Sequence, residues 1–450
     1  MRNSSLDMTQ GDVMRGLVAF SVPSLIGNLL HQVYSLTDSI VVGRILGVEA
    51  LAAVGCTMPL ILLLAALMIG TNIGVGVLLS QAFGAQDMDR MRRGFLNSLY
   101  VGAGISLALA VFGAPLSRPV LVLMGTPQET LQNAVAYLRI NFLTSLCPML
   151  YYLFSCAFRG MGDSRTDLYC LAVSVGMNVV LDILFVAAFR WGVAGSAWAT
   201  ALAQLTSAVF AAILLFRLYP NMRPKKEDLK PDRRLIAAIG RLSLPIAAQS
   251  AFNNIGNLVA QGAVNGFGAV AMAAYTAAGR VGAFALMPLE TFGNTLSIYT
   301  GQNYGAGKMD RLAEGKRVTL RLQLLLSTVL GLLLLLFGRA ITRLFLADTT
   351  EELLKISYQY LLITAVPGIL PGLMFTFQQL LRGTGDTAAS MVGGLTQLVT
   401  KVAVIAIGAW AAHSLTAVWC AWPVSFAASA AYLYWHMKKK SVLSDSGKSL

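Results

Sequence analysis

Gln81-Ala82-Phe83-Gly84-Ala85-Gln86-Asp87-Met88-Asp89-Arg90 returns 221 residues later as Gln302-Asn303-Tyr304-Gly305-Ala306-Gly307-Lys308-Met309-Asp310-Arg311, with six of the ten positions identical. Two further landmarks recur at nearly the same spacing. Arg159-Gly160-Met161-Gly162-Asp163 reappears as Arg382-Gly383-Thr384-Gly385-Asp386, 223 residues on, and Ser21-Val22-Pro23 as Ser243-Leu244-Pro245, 222 residues on. Three landmarks that drift by only two residues mark an internal duplication of the whole chain.

The duplicated unit is a membrane unit. Of 450 residues, 56% are hydrophobic and only 12% charged, and the mean hydropathy is +0.66. A soluble domain carries roughly twice that share of charge, so this composition excludes a soluble enzyme, a disulfide scaffold and a disordered chain. Apolar runs bounded by charged, Gly or Pro breaks predict spans near 15–38, 51–80, 94–117, 131–156, 167–189 and 193–218, then near 235–262, 269–300, 318–339, 352–380, 387–409 and 413–436. The fold class is an all-α polytopic membrane protein. Its twelve transmembrane helices form two six-helix bundles: an N-terminal lobe at 1–218 and a C-terminal lobe at 235–437, with a linker at 219–234 and a tail at 438–450. Because six is even, both halves thread the bilayer in one direction, which relates the bundles by a pseudo-two-fold axis along the membrane normal.

The chain carries a formal net charge of +13. Only six Lys and Arg fall in the odd-to-even loops, against 25 at the termini and in the even-to-odd loops. That bias places both termini and the linker in the cytoplasm, and it explains the basic surplus without nucleic acid. The first apolar run continues past the length of a signal-peptide core with no small-residue cleavage site, so no cleaved signal is expected. Five cysteines in or beside apolar stretches have no metal-ligand spacing and read as small buried hydrophobes.

Ionisable side chains within spans are costly, at about 2.5–3.5 kcal/mol on insertion scales and more in simulation, so each one needs a reason. Asp38 stands near the end of span one, Asp182 inside span five and Glu290 inside span eight. Asn178 and Asp182 are four apart and share a helical face, and His31, Tyr34 and Asp38 fall on one stripe. Two carboxylates facing one another in a low-dielectric pocket cannot both stay ionised without a counter-charge. Either one takes a proton, or both share a small cation with amide and hydroxyl oxygens. A structural reading stands beside each: Asp38 satisfied by water or Arg44, Asp182 bonded to backbone, Glu290 paired with Arg280. Arg139 and Lys401 receive no role. Pro23 interrupts the hydrogen-bond ladder of span one and predicts a kink or hinge.

Other chemistries lack their residues. Asn303 to Lys308 is faintly like a phosphate loop, but Gln302 stands where its first glycine belongs and Met309 replaces the Ser/Thr. Three histidines and no HExxH or CxxC pattern leave a membrane metalloenzyme without ligands. The protein reads as a non-enzyme that needs no cofactor.

Pro23 and Asp38, the turns at 81–85 and 302–307 and the twin Arg-Gly-x-Gly-Asp loops together resemble the multidrug and toxic compound extrusion (MATE) family, over roughly 15–436. The resemblance implies twelve helices in two lobes, alternating access, and export of cationic amphipathic compounds in exchange for H+ or Na+. In the branch with an N-lobe cation site, the resemblance implies that Asp38, Asn178, Asp182 and Thr200 bind the coupling ion and that helix one bends at Pro23. The amide usual before the first aspartate is replaced here by His31. His31, Tyr34 and Glu290 are assigned to the substrate cavity.

The expected function is therefore a monomeric secondary antiporter of organic cations or drugs, spanning the bilayer of a bacterial-type cytoplasmic membrane. Its rivals are a lipid-linked saccharide flippase of related architecture, kept open by Arg139, Arg280 and Lys401, and a major facilitator transporter, whose loop signature Gly84–Arg93 matches imperfectly. A channel is a third class, one that needs no coupling acids.

Overall fold

A computed structural model of the protein describes residues 5–343 and 350–440, apart from the side chains at positions 33, 35–42, 44 and 48. All regular structure among the described residues is helical. The chain divides into unit 1 (Met1–Asp7 and Val22–Ala247) and unit 2 (Met8–Ser21 and Ala248–Leu450). Of the three divisions, two fall within long helices. α1 (Val13–Val41) passes from unit 2 to unit 1 after Ser21, two residues before Pro23; α9 (Arg233–Asn265) passes back after Ala247, two residues beyond Pro245.

Unit 1 continues with α2 (Val48–Gly84), then α3 (Met88–Ala108) and α4 (Ala114–Leu123), which run on as one span through a π-turn. α5 (Gln128–Leu143), α6 (Leu146–Gly160), α7 (Ser164–Asp182) and α8 (Gly192–Leu218) complete it. Its packing depends on small residues, as lipid-embedded helices require. A Cβ at Gly70 would strike Ala247, and one at Gly74 would strike Ser243, so the first half of α9 lies directly on α2.

Unit 2 repeats this plan. α10 (Ala269–Gly305), α11 (Met309–Arg343), α12 (Glu351–Thr364), α13 (Ile369–Gly383), α14 (Thr387–Ala406), α15 (Leu415–Trp419) and α16 (Ala421–Lys439) follow α9. Here Ser21, on the first half of α1, donates its hydroxyl to Thr295 Oγ1 on α10 at 2.8 Å. Ser21 and Ser243 correspond in the repeat, as do Gly74 and Thr295, so the same half-helix contact is built twice.

The landmarks of the repeat have local structural reasons. Gly162 (φ 80°) and Gly385 (φ 91°) close their helices in the left-handed conformation. Asp163 and Asp386 cap the next helices by accepting from Thr166 N at 3.0 Å and Ala389 N at 3.3 Å. In the other turn, the left-handed position falls to Gln86 and Gly307.

Nine helices among the described residues are long and apolar enough to cross a bilayer, and two bent pairs bring the number to eleven. The spans predicted at 131–156 and 352–380 are not straight. α5–α6 bends by 46° and α12–α13 by 45°. Pro148 sits in the first turn of α6 and Pro367 just before α13, where the missing N–H does not break a ladder. The segment expected as the twelfth span is broken between α15 and α16 at Cys420. All five cysteines are free thiols.

Candidate functional site

Within unit 1, three helices bring polar side chains to one point. α7 contributes Asn178 and Asp182, each only 1% exposed. They lie one turn apart, and α7 ends at Asp182, where a π-turn, Ile183–Ala188, begins. Such a turn widens the helix by one residue and re-aims its neighbours. α8 contributes half-buried Thr200 and α1 contributes Tyr34.

Tyr34 Oη lies 3.2 Å from Thr200 Oγ1. With the Asn178 amide oriented to suit its surroundings, Nδ2 donates to Asp182 Oδ2 at 2.8 Å and Oδ1 accepts from Thr200 N at 3.3 Å. A carboxylate, an amide and two hydroxyls thus form one connected group, its acid and amide buried and its two hydroxyl residues half-buried. Such oxygens suit a hard cation, and a carboxyl there can equally hold a proton.

The other predicted site residues fall as follows. Asp38 is one turn beyond Tyr34 on α1, but its side chain lies outside the described ones. His31 is exposed, with its ring 5.7 Å from that of Tyr34. Pro23 stands inside α1, two residues past the division of the units.

Glu290 belongs to unit 2, on an open face of α10. The pairing with Arg280 considered for it does not form: ten residues along a helix separate the two by about 15 Å.

Arg382 and its surroundings were missed from sequence. It is buried, donating to Gln249 Oε1 at 2.7 Å, Ser390 Oγ at 3.1 Å and Gln379 Oε1 at 3.3 Å, and Gln379 in turn donates to Asn294. The repeat was the available signal. Arg159, its equivalent in unit 1, pairs with Asp167 at 3.5 Å, and Ser155 donates to that same carboxylate at 2.5 Å. Asp167 corresponds to Ser390, so the second half keeps the arginine and loses the acid. Arg139, left without a role, donates to the Ala114 carbonyl at 3.3 Å.

A clasp outside the spans closes the linker. Arg92 holds Asp228 through Nε, with Nη2 also bonding Asp89 at 2.6 Å. The Arg92 hydrogen bond keeps the Asp228 carboxyl below the usual carboxylate range.

The family model MatE matches the chain twice, over residues 23–184 and 245–426. The chain belongs to the MATE family. Both matches begin at the repeated proline, which agrees with the duplication read from the landmarks. This MATE chain is 31% identical to a probable multidrug resistance protein, YoeA, of Bacillus subtilis, over 96% of this chain and 95% of that one. It is 23% identical to the multidrug export protein MepA of Staphylococcus aureus, covering 88% and 87% of the two chains. A solved multidrug resistance MATE transporter in an outward-facing conformation superposes with a TM-score of 0.90 at 22% identity, covering 98% of this chain and 99% of that one. Members of the family are membrane transporters, so the MATE chain is a transporter and not an enzyme. The family match favours neither the lipid-linked saccharide flippase nor the major facilitator reading.

Proposed function

We propose that this protein is a secondary antiporter. It exports organic cations or related drugs across a bacterial-type cytoplasmic membrane in exchange for H+ or Na+, as a monomer with both termini in the cytoplasm. The observation that carries this reading is the connected group of Tyr34, Asn178, Asp182 and Thr200, its acid and amide buried beside a π-turn and tied to the helix that holds Pro23 and Asp38. The names of the relatives, a probable multidrug resistance protein and a multidrug export protein, support the substrate class.

In this reading a cation arriving at Asp38, Asn178, Asp182 and Thr200 changes the charge carried between α1 and α7. Tyr34 transmits the change, because its bond to Thr200 ties α1 to α8. Pro23 leaves the α1 ladder one bond short and is the place where the helix bends. A coupling ligand shifts such an equilibrium only by its differential affinity for the two states, and the charge on two acids supplies that difference. In unit 1, His31 and Tyr34 contact the exported molecule; in unit 2, Glu290 is an anionic group suited to a cationic substrate.

The test is transport of tetraphenylphosphonium, a permanent cation, in proteoliposomes under an imposed ΔpH or an imposed ΔNa+. One of the two gradients drives movement in the wild type, and Asp182→Asn abolishes the response while inserting normally. Movement that ignores both gradients, or that survives Asp182→Asn unchanged, overturns the reading.

A further inference from the structure

The duplication makes it possible to ask what unit 2 holds where unit 1 holds its polar group. The repeat offset in this region is fixed on both sides, by Asp163 and Asp386 before it and by the left-handed residues Arg190 (φ 55°) and His413 (φ 44°) after it, each 223 apart. Between these markers Asn178 corresponds to Lys401 and Asp182 to Ile405; α8 continues the register and places Thr200 opposite Pro423. On α9, at the 222-residue offset of the two prolines, Tyr34 corresponds to Gly256 and Asp38 to Ala260. Both acids are gone, and a lysine stands where the amide was.

Lys401 is only 4% exposed. Its Nζ donates to Asn257 Oδ1 at 3.3 Å and lies 5.3 Å from the centre of the Trp422 ring. Among the described residues it has no carboxylate at ion-pair distance. Its stem covers Gly256: a Cβ there would meet Lys401 Cδ at 3.3 Å and Nζ at 3.8 Å. The glycine that replaces Tyr34 therefore makes the room that the lysine fills. An amide oxygen and an aromatic face are partners for an ammonium, and a methionine would fill the same volume without burying a charge.

We propose that Lys401 is a tethered cation that plugs the counterpart seat in unit 2, so that the molecule exchanges a single cation per cycle, through unit 1 alone. The inference rests on the antiport reading of the Asp182 group and adds its stoichiometry. Unit 1 carries acids and must find its cation in solution. The counterpart seat in unit 2 carries its cation on the chain and has Ala260 and Ile405 where unit 1 has its acids.

The experiment is a static-head measurement in proteoliposomes with the membrane potential collapsed by potassium and valinomycin. The steady gradient of tetraphenylphosphonium is read against the imposed gradient of the driving cation, H+ or Na+. One exchanged cation gives a gradient of about tenfold per tenfold driving gradient, and two give about a hundredfold. Wild type and Lys401→Met are both expected at tenfold. A reopened seat, Lys401→Asn with Ile405→Asp, is expected to rise above it.

A hundredfold gradient in the wild type overturns the proposal. If that value falls to tenfold in Lys401→Met, the lysine itself exchanges a proton; if it does not, another seat exists. A double variant that keeps the wild-type Tm yet stays at tenfold overturns the equivalence of the two seats. A wild type that builds no cation-dependent gradient at all overturns the antiport reading and this inference with it, whereas a hundredfold gradient that still requires Asp182 overturns this inference only.

Discussion

Asn178, Asp182, Thr200 and Tyr34 in unit 1, set against Lys401, Ile405, Pro423 and Gly256 in unit 2, compare one backbone register carrying two chemistries. The helices, the capping aspartates and the π-turns that follow (Ile183–Ala188 and Ile407–Ala411) are shared. What differs is whether the position needs something from outside. An acid, an amide and hydroxyls make a group whose charge is completed by a visitor, while an ammonium under Trp422 is complete in itself. The arginines of the two loops show the reverse. Arg159 has its own aspartate, whereas Arg382 is held by neutral oxygens, and Glu290 of the same unit stands on an open face of α10. Each unit thus has one self-sufficient charge and one that looks outward.

The largest expected effect comes from breaking the outward-looking acid of unit 1. Asp182→Asn keeps the volume and one oxygen able to accept from Asn178 but removes the charge, and cation-driven flux in proteoliposomes should fall by about two orders of magnitude or more, with normal membrane insertion. Glu290→Gln is expected to weaken tetraphenylphosphonium binding to the purified protein by about tenfold, the scale of one charge-assisted contact. Met68→Leu, a buried apolar exchange in unit 1, should leave binding within about twofold. Equal binding by wild type and Glu290→Gln would remove Glu290 from the substrate contacts.

Smaller effects sharpen the comparison. Tyr34→Phe deletes the bond to Thr200 while keeping the ring, a loss of about 1 kcal/mol; the rate of driven transport should drop about fivefold. Asp167→Ser copies unit 2 into unit 1 by leaving Arg159 without its acid. The pair is partly exposed, so the cost should be about 1–2 kcal/mol, less than a fully buried pair, and is read as a lowered Tm.

The linker clasp gives the mildest signal. Because Arg92 depresses the Asp228 carboxyl in the folded state, its stabilisation is present above the unfolded value of about 3.9 and is lost as pH falls through the folded value. Thermal stability of the wild type should therefore decline below about pH 4, and Asp228→Asn should be less stable at neutral pH with a shallower acid decline.

The fold was legible because each landmark of the repeat is a local necessity. A left-handed glycine at Gly162 or Gly385, followed by a capping aspartate, leaves a mark that survives when the helices around it diverge. The first step of the drift, from 222 to 221, also has a physical source. Pro23 to Gly47 is one residue longer than Pro245 to Gly268, and Val42–Leu46 is a π-turn, which absorbs one extra residue, whereas α9 runs on without one. Asn178 and Asp182 were legible as a pair, since a spacing of four fixes a shared face. The Tyr34–Thr200 bond was not, because 166 residues separate its partners. Nor was the bend in α5–α6 or α12–α13, where hydropathy continues across the break. The passage of α1 and α9 between units at Ser21 and Ala247 leaves no trace in composition, since both helices are apolar on either side. Lys401 was visible as a charge in a span, but its meaning required the geometry around Gly256 and Trp422.

Coupling through Asp182 is read by recording drug and driving cation together in the same vesicles. In liposomes holding wild type, outward tetraphenylphosphonium should be matched by one H+ or Na+ moving the other way; with Asp182→Asn, the protein should still bind tetraphenylphosphonium while neither ion crosses. Matched exchange that persists undiminished without the Asp182 carboxyl would contradict it.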